Sequence, residues 1–429
     1  MTFKWLPDAA LDPHPRLTWF TECCFDLTVL AFYRKEEILP PDYGLAPGTL
    51  VVSNHQRDAD VPILTTTLCQ RRGLHIRWPL PFYAMREDLL RRGFLAGHLA
   101  HWPRPLPALL GTLSLGWFFR IVRGEPLRRL REFTFGETLS ALLAAGFADA
   151  RCEAVFNARG RREIEAAIGA LPATLRNLDL RRQGKLRRGL WGLRRLRLET
   201  FRSLKPLFRR EIAAQLARFS SLLDAGRVVY FAPEGTISAN GRFGRVREGA
   251  WRIVRSAAAP PPILAIALSY DPLGPGRLRV IVRVGIPMRE YDTRERRNFE
   301  AALEREIRAL YPLNASHLLA RYLRRGADRF TTEDFAGWFA AARDALRSAG
   351  FALDPLLANR EAQELAGERL RWLERKALVL RDGHCWRKSR DADVPPGWRK
   401  PAAIVAYFDN ALADHLAALA PGVEGDIAP

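Results

Sequence analysis

Long apolar runs are missing from this sequence. Across 429 residues no uncharged apolar stretch reaches the ~20 residues that cross a bilayer as a helix, so a membrane-spanning protein is not expected. A cleavable leader is missing too, since Met1-Thr2-Phe3-Lys4 does not open into a hydrophobic stretch closed by small residues. Cysteine is scarce and scattered. Cys23, Cys24, Cys69, Cys152 and Cys385 are odd in number, with one adjacent pair and no metal spacing. That excludes a disulfide framework and points to a reducing compartment. For the Cys23–Cys24 pair two readings stand, buried thiols and lipidation. No cluster of His, Cys, Asp and Glu has ligand spacing, so neither a metal nor a cofactor is expected. Lysine is nearly absent as well: only seven occur, and arginine supplies the rest of a net charge of +20.

What is present narrows the class. Apolar residues make up 48% of the chain, enough to build a sizeable core and to exclude general disorder. The strong positive balance implies an anionic partner: a phospholipid surface, a nucleic acid or a phosphorylated substrate.

Residues 16–33, RLTWFTECCFDLTVLAFY, are apolar apart from Arg16, Glu22 and Asp26 and read as a helix with one wide apolar face. It either packs on the core or lies in a membrane interface. Residues 106–122 pose the same choice. Short buried strands follow at 48–53, 226–231, 263–270 and 278–286, with helical patterns between them. Apolar strands alternating with helices predict an α/β fold: a mixed or parallel sheet flanked by helices. Residues 176–210 carry thirteen Arg and Lys against Asp179 and Glu199, interleaved with Leu, Trp191 and Phe201. That block reads as a basic amphipathic helix for a membrane surface. A solvated charged face and a nucleic-acid contact are the competing readings, the latter without a recognisable module. Residues 300–429 look helical, with Thr331-Thr332-Glu333-Asp334 as a capping signature ahead of FAGWFAAARDAL. The expected organisation is a membrane-associated helical segment at 1–44, a core at 45–290 with a helical basic insertion at about 131–220, and a helical region at 291–429.

Two stretches carry chemistry. Ser53-Asn54-His55-Gln56-Arg57-Asp58-Ala59-Asp60 places a histidine just after a strand and an aspartate at the next turn or first helical turn. A neutral imidazole can take a proton at neutral pH. It does so best when a carboxylate holds its other nitrogen and stabilises the imidazolium. Asp60 can fold back onto the ring, and Asp58 competes for that role on spacing alone. Tyr230 to Ser238, YFAPEGTIS, is a strand exit in which Pro233 fixes the approach, Gly235 permits close backbone contact and Thr236 can bond an anion. Glu234 can bond hydroxyls of an acceptor. Both stretches fall at strand carboxyl ends, where sites of α/β sheets collect. Taken singly, each has a bland reading: a satisfied histidine and a routine strand exit.

Together they resemble the lysophospholipid acyltransferase family, whose acyl-glycerol-phosphate acyltransferases carry N-H-x4-D and F-P-E-G-T-R-S. The resemblance runs on through Asn240-Gly241-Arg242-Phe243, GRVREGAW at Gly244–Trp251, and Pro262-Ile263-Leu264-Ala265-Ile266-Ala267, and covers about residues 45–290. Ala406-Tyr407-Phe408-Asp409-Asn410 resembles a tail motif of glycerol-3-phosphate acyltransferases. Ile237 stands where the family has arginine, and Ala232 interrupts its Phe-Pro. The resemblance implies an O-acyltransferase with His55 as base, Asp60 as its partner, and Glu234, Gly235 and Thr236 at the acceptor. For the acceptor phosphate it implies Arg128 or Arg129, with Arg159 as a second choice. Acyl-CoA or an acyl carrier protein is the implied co-substrate, a lysophospholipid or glycerol-phosphate-type lipid the acceptor, and the cytoplasmic face of a membrane the place of work, held peripherally or monotopically. Nucleic acid is not an expected partner. A non-catalytic membrane-binding protein on the same scaffold is the alternative.

Overall fold

The computed structural model describes residues 15–69, 71–72, 75–76, 80–86, 123–129, 132–178, 191–389 and 395–429. The expectations for residues 106–122 and for 179–190 of the basic block lie outside these. Two compact units emerge. The first comprises residues 1–83, 121–123 and 220–429; the second comprises 84–120 and 124–219.

Leaving aside the two-residue strands Arg71–Arg72 and His75–Ile76, seven described strands precede residue 290. They are β1 (Tyr33–Ile38), β2 (Leu50–Ser53), β3 (Phe82–Arg86), β4 (Gly124–Leu127), β5 (Val229–Phe231), β6 (Ile263–Asp271) and β7 (Leu278–Val284). In the first unit six of them form a mixed sheet in the order β1-β7-β6-β2-β5-β3. The middle of the sheet is parallel: β2 pairs with β5 on one side and β6 on the other, and β6 turns back antiparallel against β7. The reason is visible in composition. Leu50, Val51 and Val52 are fully buried, as are Ile263 through Leu268 apart from a trace at Leu264. A strand covered on both faces needs an unbroken apolar run, and each buried aliphatic side chain contributes roughly 1.5–3 kcal/mol. The expected strands at 48–53, 226–231, 263–270 and 278–286 are all present, each within three residues at either end.

The carboxyl-terminal region belongs to this first unit. The capping signature at Thr331 is a formed capping box, with Thr331 Oγ1 accepting from Asp334 N at 3.0 Å and Asp334 Oδ2 accepting from Thr331 N at 3.0 Å. It starts the helix Thr332–Ser348. Against the expectation of a helical region, Arg329–Phe330, Val379–Asp382 and Cys385–Lys388 make a three-stranded antiparallel sheet. Gly383, at φ 61°, makes the two-residue turn that a tight hairpin demands. Buried ion pairs tie the region to the end of the main sheet. Arg369 Nη2 donates to Asp271 at 2.6 Å, and Arg279 Nη1 donates to Asp354 at 2.7 Å.

The second unit has its own core. Trp191 packs edge-on against Phe135 at 4.7 Å and Phe156 at 5.3 Å, and Phe133 lies 4.1 Å from Phe208. The basic block at 176–210 therefore differs from the expected amphipathic helix. Its described parts are short 3-10 turns at Leu175–Asn177 and Leu193–Arg195, followed by the helix Leu198–Asp224. Leu178, Trp191, Leu193, Leu196, Leu204 and Phe208 are buried in the unit's core. Apolar residues spaced as if on one helix face are core contacts of several short elements.

Candidate active site

Strand β2 ends in a side chain that completes the sheet. Asn54 Nδ2 donates to Leu268 O and Asn54 Oδ1 accepts from Leu268 N, both at 2.8 Å. This amide replaces a ladder step and releases the chain beyond β6. His55 leaves the strand there, with its side chain one-fifth exposed. The next helix begins at Asp60, whose side chain is fully buried.

Asp60 folds back onto the histidine. Its Oδ2 lies 2.9 Å from His55 Nδ1 and also accepts from the backbone N–H of Gln56 at 2.7 Å and of Arg57 at 3.0 Å. Its Oδ1 accepts from the Tyr270 hydroxyl. The carboxylate therefore accepts a hydrogen bond from Nδ1–H and leaves Nε2 as the basic nitrogen. Burial pulls the His55 pKa down, but the Asp60 hydrogen bond and the charges of Asp60, Glu234 and Asp58 outweigh it, and the net shift is upward. The competing orienter Asp58 is exposed and acts through charge.

The second stretch meets the first. Glu234 Oε1 accepts from His55 N at 2.9 Å, and Ser238 N donates to His55 O at 3.0 Å. Glu234 Oε2 accepts from Gly244 N. The two motifs thus clasp the histidine backbone from one side while Asp60 holds its ring. Gly235, at φ 65°, makes the turn in which its N–H donates to Ala232 O at 3.0 Å. Thr236 follows, half-buried. Glu234 is 3% exposed, and both its oxygens are engaged with backbone N–H groups. Its work in this state is to fix the histidine backbone rather than to reach acceptor hydroxyls. Burial pushes its pKa up to about 7 against the pull of those two bonds. Both bonds call for the ionised carboxylate, the form present above that value.

The carboxyl-terminal region supports the same loops. Gln56 Nε2 donates to Tyr311 Oη at 2.9 Å. The Arg57 guanidinium lies 4.5 Å above the Trp398 ring. Gly241, at φ 90°, is pressed against the Tyr407 carbonyl, where a Cβ would collide. Asn410 Nδ2 donates to Asn240 O at 3.1 Å, and Asp414 Oδ2 accepts from Phe243 N at 2.9 Å. The tail segment Ala406–Asn410 is thereby the seat of the glycine loop after the second motif. None of Tyr270, Tyr311 and Trp398 stood out in the sequence. The signal that would have found Tyr270 is a hydroxyl in an otherwise apolar buried strand, which requires a polar partner.

The remaining residues of interest lie in the second unit. Arg128 is buried, and its guanidinium pairs with Glu137 at 3.0 Å and Glu211 at 2.9 Å. Arg129 pairs with Glu132. Arg159 pairs with Glu163 at 3.1 Å on the surface of its helix. All three guanidinium groups are engaged with carboxylates. No group of three metal-ligating side chains occurs among the described residues.

A family model described as Acyltransferase matches residues 199–269. That segment is similar to the acyltransferase domain of the lysophospholipid and glycerol-phosphate acyltransferases. The matched segment takes in β5, the Pro233–Thr236 turn and most of β6. His55 and Asp60 stand outside the matched segment; hydrogen bonds of Glu234 and Ser238 join His55 to it, and Tyr270, which bonds Asp60, lies one residue beyond its end. A search of curated proteins finds no match.

Proposed function

We propose that this acyltransferase moves a fatty acyl group from acyl-CoA or an acyl carrier protein to a hydroxyl of a lysophospholipid or glycerol-phosphate-type acceptor, with His55 as general base. The observation that carries the reading is the convergence on one histidine: Asp60 Oδ2 lies 2.9 Å from the ring Nδ1, and Glu234 Oε1 lies 2.9 Å from the backbone N. His55 Nε2 takes the acceptor's hydroxyl proton as its oxygen attacks the thioester carbon. Asp60 stabilises the imidazolium. The tetrahedral intermediate expels the thiolate, which takes the proton back from Nε2. The new ester and the free thiol leave, and no protein nucleophile takes part. Gly235 and Thr236 supply the turn against which the acceptor lies.

The protein works on the cytoplasmic face of a membrane without crossing it. Among the described residues no helix is long and apolar enough to span one. The helix Pro15–Phe32 instead leaves Phe20, Leu27, Leu30 and Phe32 exposed, between 60% and 68% each. Such side chains at the start of a chain with a net charge of +20 suit shallow contact with an anionic lipid surface.

The test is turnover. Purified protein is given acyl-CoA and lysophosphatidic acid on anionic vesicles, with loaded acyl carrier protein as a second donor. Free thiol and diacylated product are expected in equal amounts. No product with either donor and a panel of lysophospholipids and glycerol phosphate overturns the reading.

A further inference from the structure

The Asp60 carboxylate receives one bond that the His–Asp pair alone does not require. Its Oδ2 is fully subscribed by His55 Nδ1, Gln56 N and Arg57 N. Its Oδ1 faces away from the histidine, is buried, and takes the phenol of Tyr270. Tyr270 is fully buried near the end of β6, opposite Val280 of β7. Its ring is held edge-on by Trp398 at 5.6 Å and tilted against Tyr33 at 6.4 Å. The Arg57 guanidinium lies over Trp398 at 4.5 Å and within 5.5 Å of the Tyr270 ring centre. Its positive charge is kept beside the phenol and away from hydrogen-bond competition for Oδ1.

We propose that Tyr270 is a positioning residue of the transfer reaction: its hydroxyl fixes the rotation of the Asp60 carboxylate and sets how strongly Asp60 raises the basicity of His55. This rests on the reading of His55 as base. The physical basis is the sharing of one negative charge between two donors. A carboxylate that accepts a phenol O–H presents less charge to the imidazolium on its other oxygen. Without the phenol, Oδ1 is a buried acceptor with no donor, and the carboxylate is free to turn away from the ring. The donor role holds across the working range, because burial, and then the Asp60 charge, push the Tyr270 hydroxyl well above its ordinary value of 10. Other groups face the pair as well. Glu234 and Asp58 act on His55, and the phenols of Tyr33, Tyr230 and Tyr311 feel the Asp60 charge. Of these phenols, Tyr230 makes the useful control. It is equally buried, yet its hydroxyl lies 3.0 Å from Ser53 Oγ rather than on Asp60.

The experiment reads His55 directly. The full chain is labelled with 15N-histidine, the His55 signal is assigned with His55→Gln, and its titration is followed by NMR in the wild type, Tyr270→Phe and Tyr230→Phe. In Tyr270→Phe, His55 should bind its proton about threefold more tightly, half a pKa unit. With acyl-CoA and lysophosphatidic acid the same variant should lose about tenfold in kcat with little change in KM, a fraction of what a general base supplies. In Tyr230→Phe the His55 titration should match the wild type. A third variant carries 3-fluorotyrosine at position 270. It keeps the packing and strengthens the donor, so His55 should shift the opposite way. An unmoved titration in both position-270 variants, or an equal shift in Tyr230→Phe, overturns the proposal. Turnover by a wild type whose titration ignores position 270 removes the Tyr270 role alone. A wild type without turnover overturns the proposed reaction instead.

Discussion

The surroundings of His55 and the arginine-rich second unit use charge in opposite ways. Around His55 polar groups converge on one residue: Asp60 binds its imidazole at Nδ1, and Glu234 and Ser238 bind its backbone. Asp60 and Glu234 are both almost wholly buried, and their bonds go to His55, to the backbone that follows it, to Gly244 and to the Tyr270 hydroxyl. In the second unit several arginines pair with carboxylates. Arg128 meets Glu137 and Glu211, Arg129 meets Glu132, Arg195 meets Glu163, and Arg176 meets Asp149. Two cations of the basic block at 176–210, Arg176 and Arg195, are paired in this way, and its buried apolar residues join an aromatic core. A site is marked by convergence of buried polar groups, not by density of charge.

The widest gap between the two regions should appear on removing His55. His55→Ala should lower kcat by about 10²–10⁴ in the acyl-CoA and lysophosphatidic acid assay while thermal unfolding stays near wild type. A retained kcat would make the two regions equivalent and remove the site. Glu234→Gln comes next. The amide nitrogen cannot accept, so one of the two backbone N–H groups, at His55 or Gly244, loses its partner. The cost should be about 1–3 kcal/mol of stability, measured by urea unfolding, with a loss of activity as His55 shifts.

That variant also sharpens the pH behaviour. Glu234 has its folded pKa raised to about 7 from an ordinary 4.5. Its contribution to stability is fully present below 4.5 and is lost as pH rises through 7. Wild type should therefore lose stability across that window relative to its own low-pH value, and Glu234→Gln should show a flatter curve. Activity runs the other way. His55 must be unprotonated to act and its pKa is raised from 6.5, so the acidic limb of kcat/KM should have its midpoint above 6.5. Because His55 and Glu234 interact, that midpoint belongs to the pair. A limb below 6.5 would contradict the upward shift.

The smallest effect is expected in the second unit. Arg128→Ala should cost about 1–2 kcal/mol, since Glu137 and Glu211 are partly exposed and screened once unpaired. KM for the acceptor should not change. A raised KM at unchanged stability would return Arg128 to the acceptor phosphate, as the sequence resemblance implied, and would blur the contrast between the two regions.

Particular residues show how far the sequence could be read. The buried strands were legible because Leu50–Val52 and Ile263–Leu268 are unbroken apolar runs, and only a strand covered on both faces needs one. The Thr331 cap was legible because a capping box is closed by residues three apart in sequence. The His55–Asp60 pairing was within reach for the same reason: the helix that starts at Asp60 returns its side chain to the preceding loop. The basic block misled because Leu193, Leu196, Leu204 and Phe208 fall at spacings that suit one helix face as well as separate elements around a common core. Spacing alone does not separate those cases. The grip of Glu234 on the His55 backbone was not legible, because its two backbone donors, His55 and Gly244, are set by the tertiary fold.

The sequence by itself determined the sheet, the helix caps and the chemistry of the two motifs, since each depends on residues near one another along the chain. Tertiary structure alone decided that Glu234 grips the His55 backbone, that Tyr270 and Tyr311 brace the Asp60 loop, and that Arg128 is paired with Glu137 and Glu211. Those contacts join residues far apart in the chain, and their energies depend on burial and direction, which folding sets.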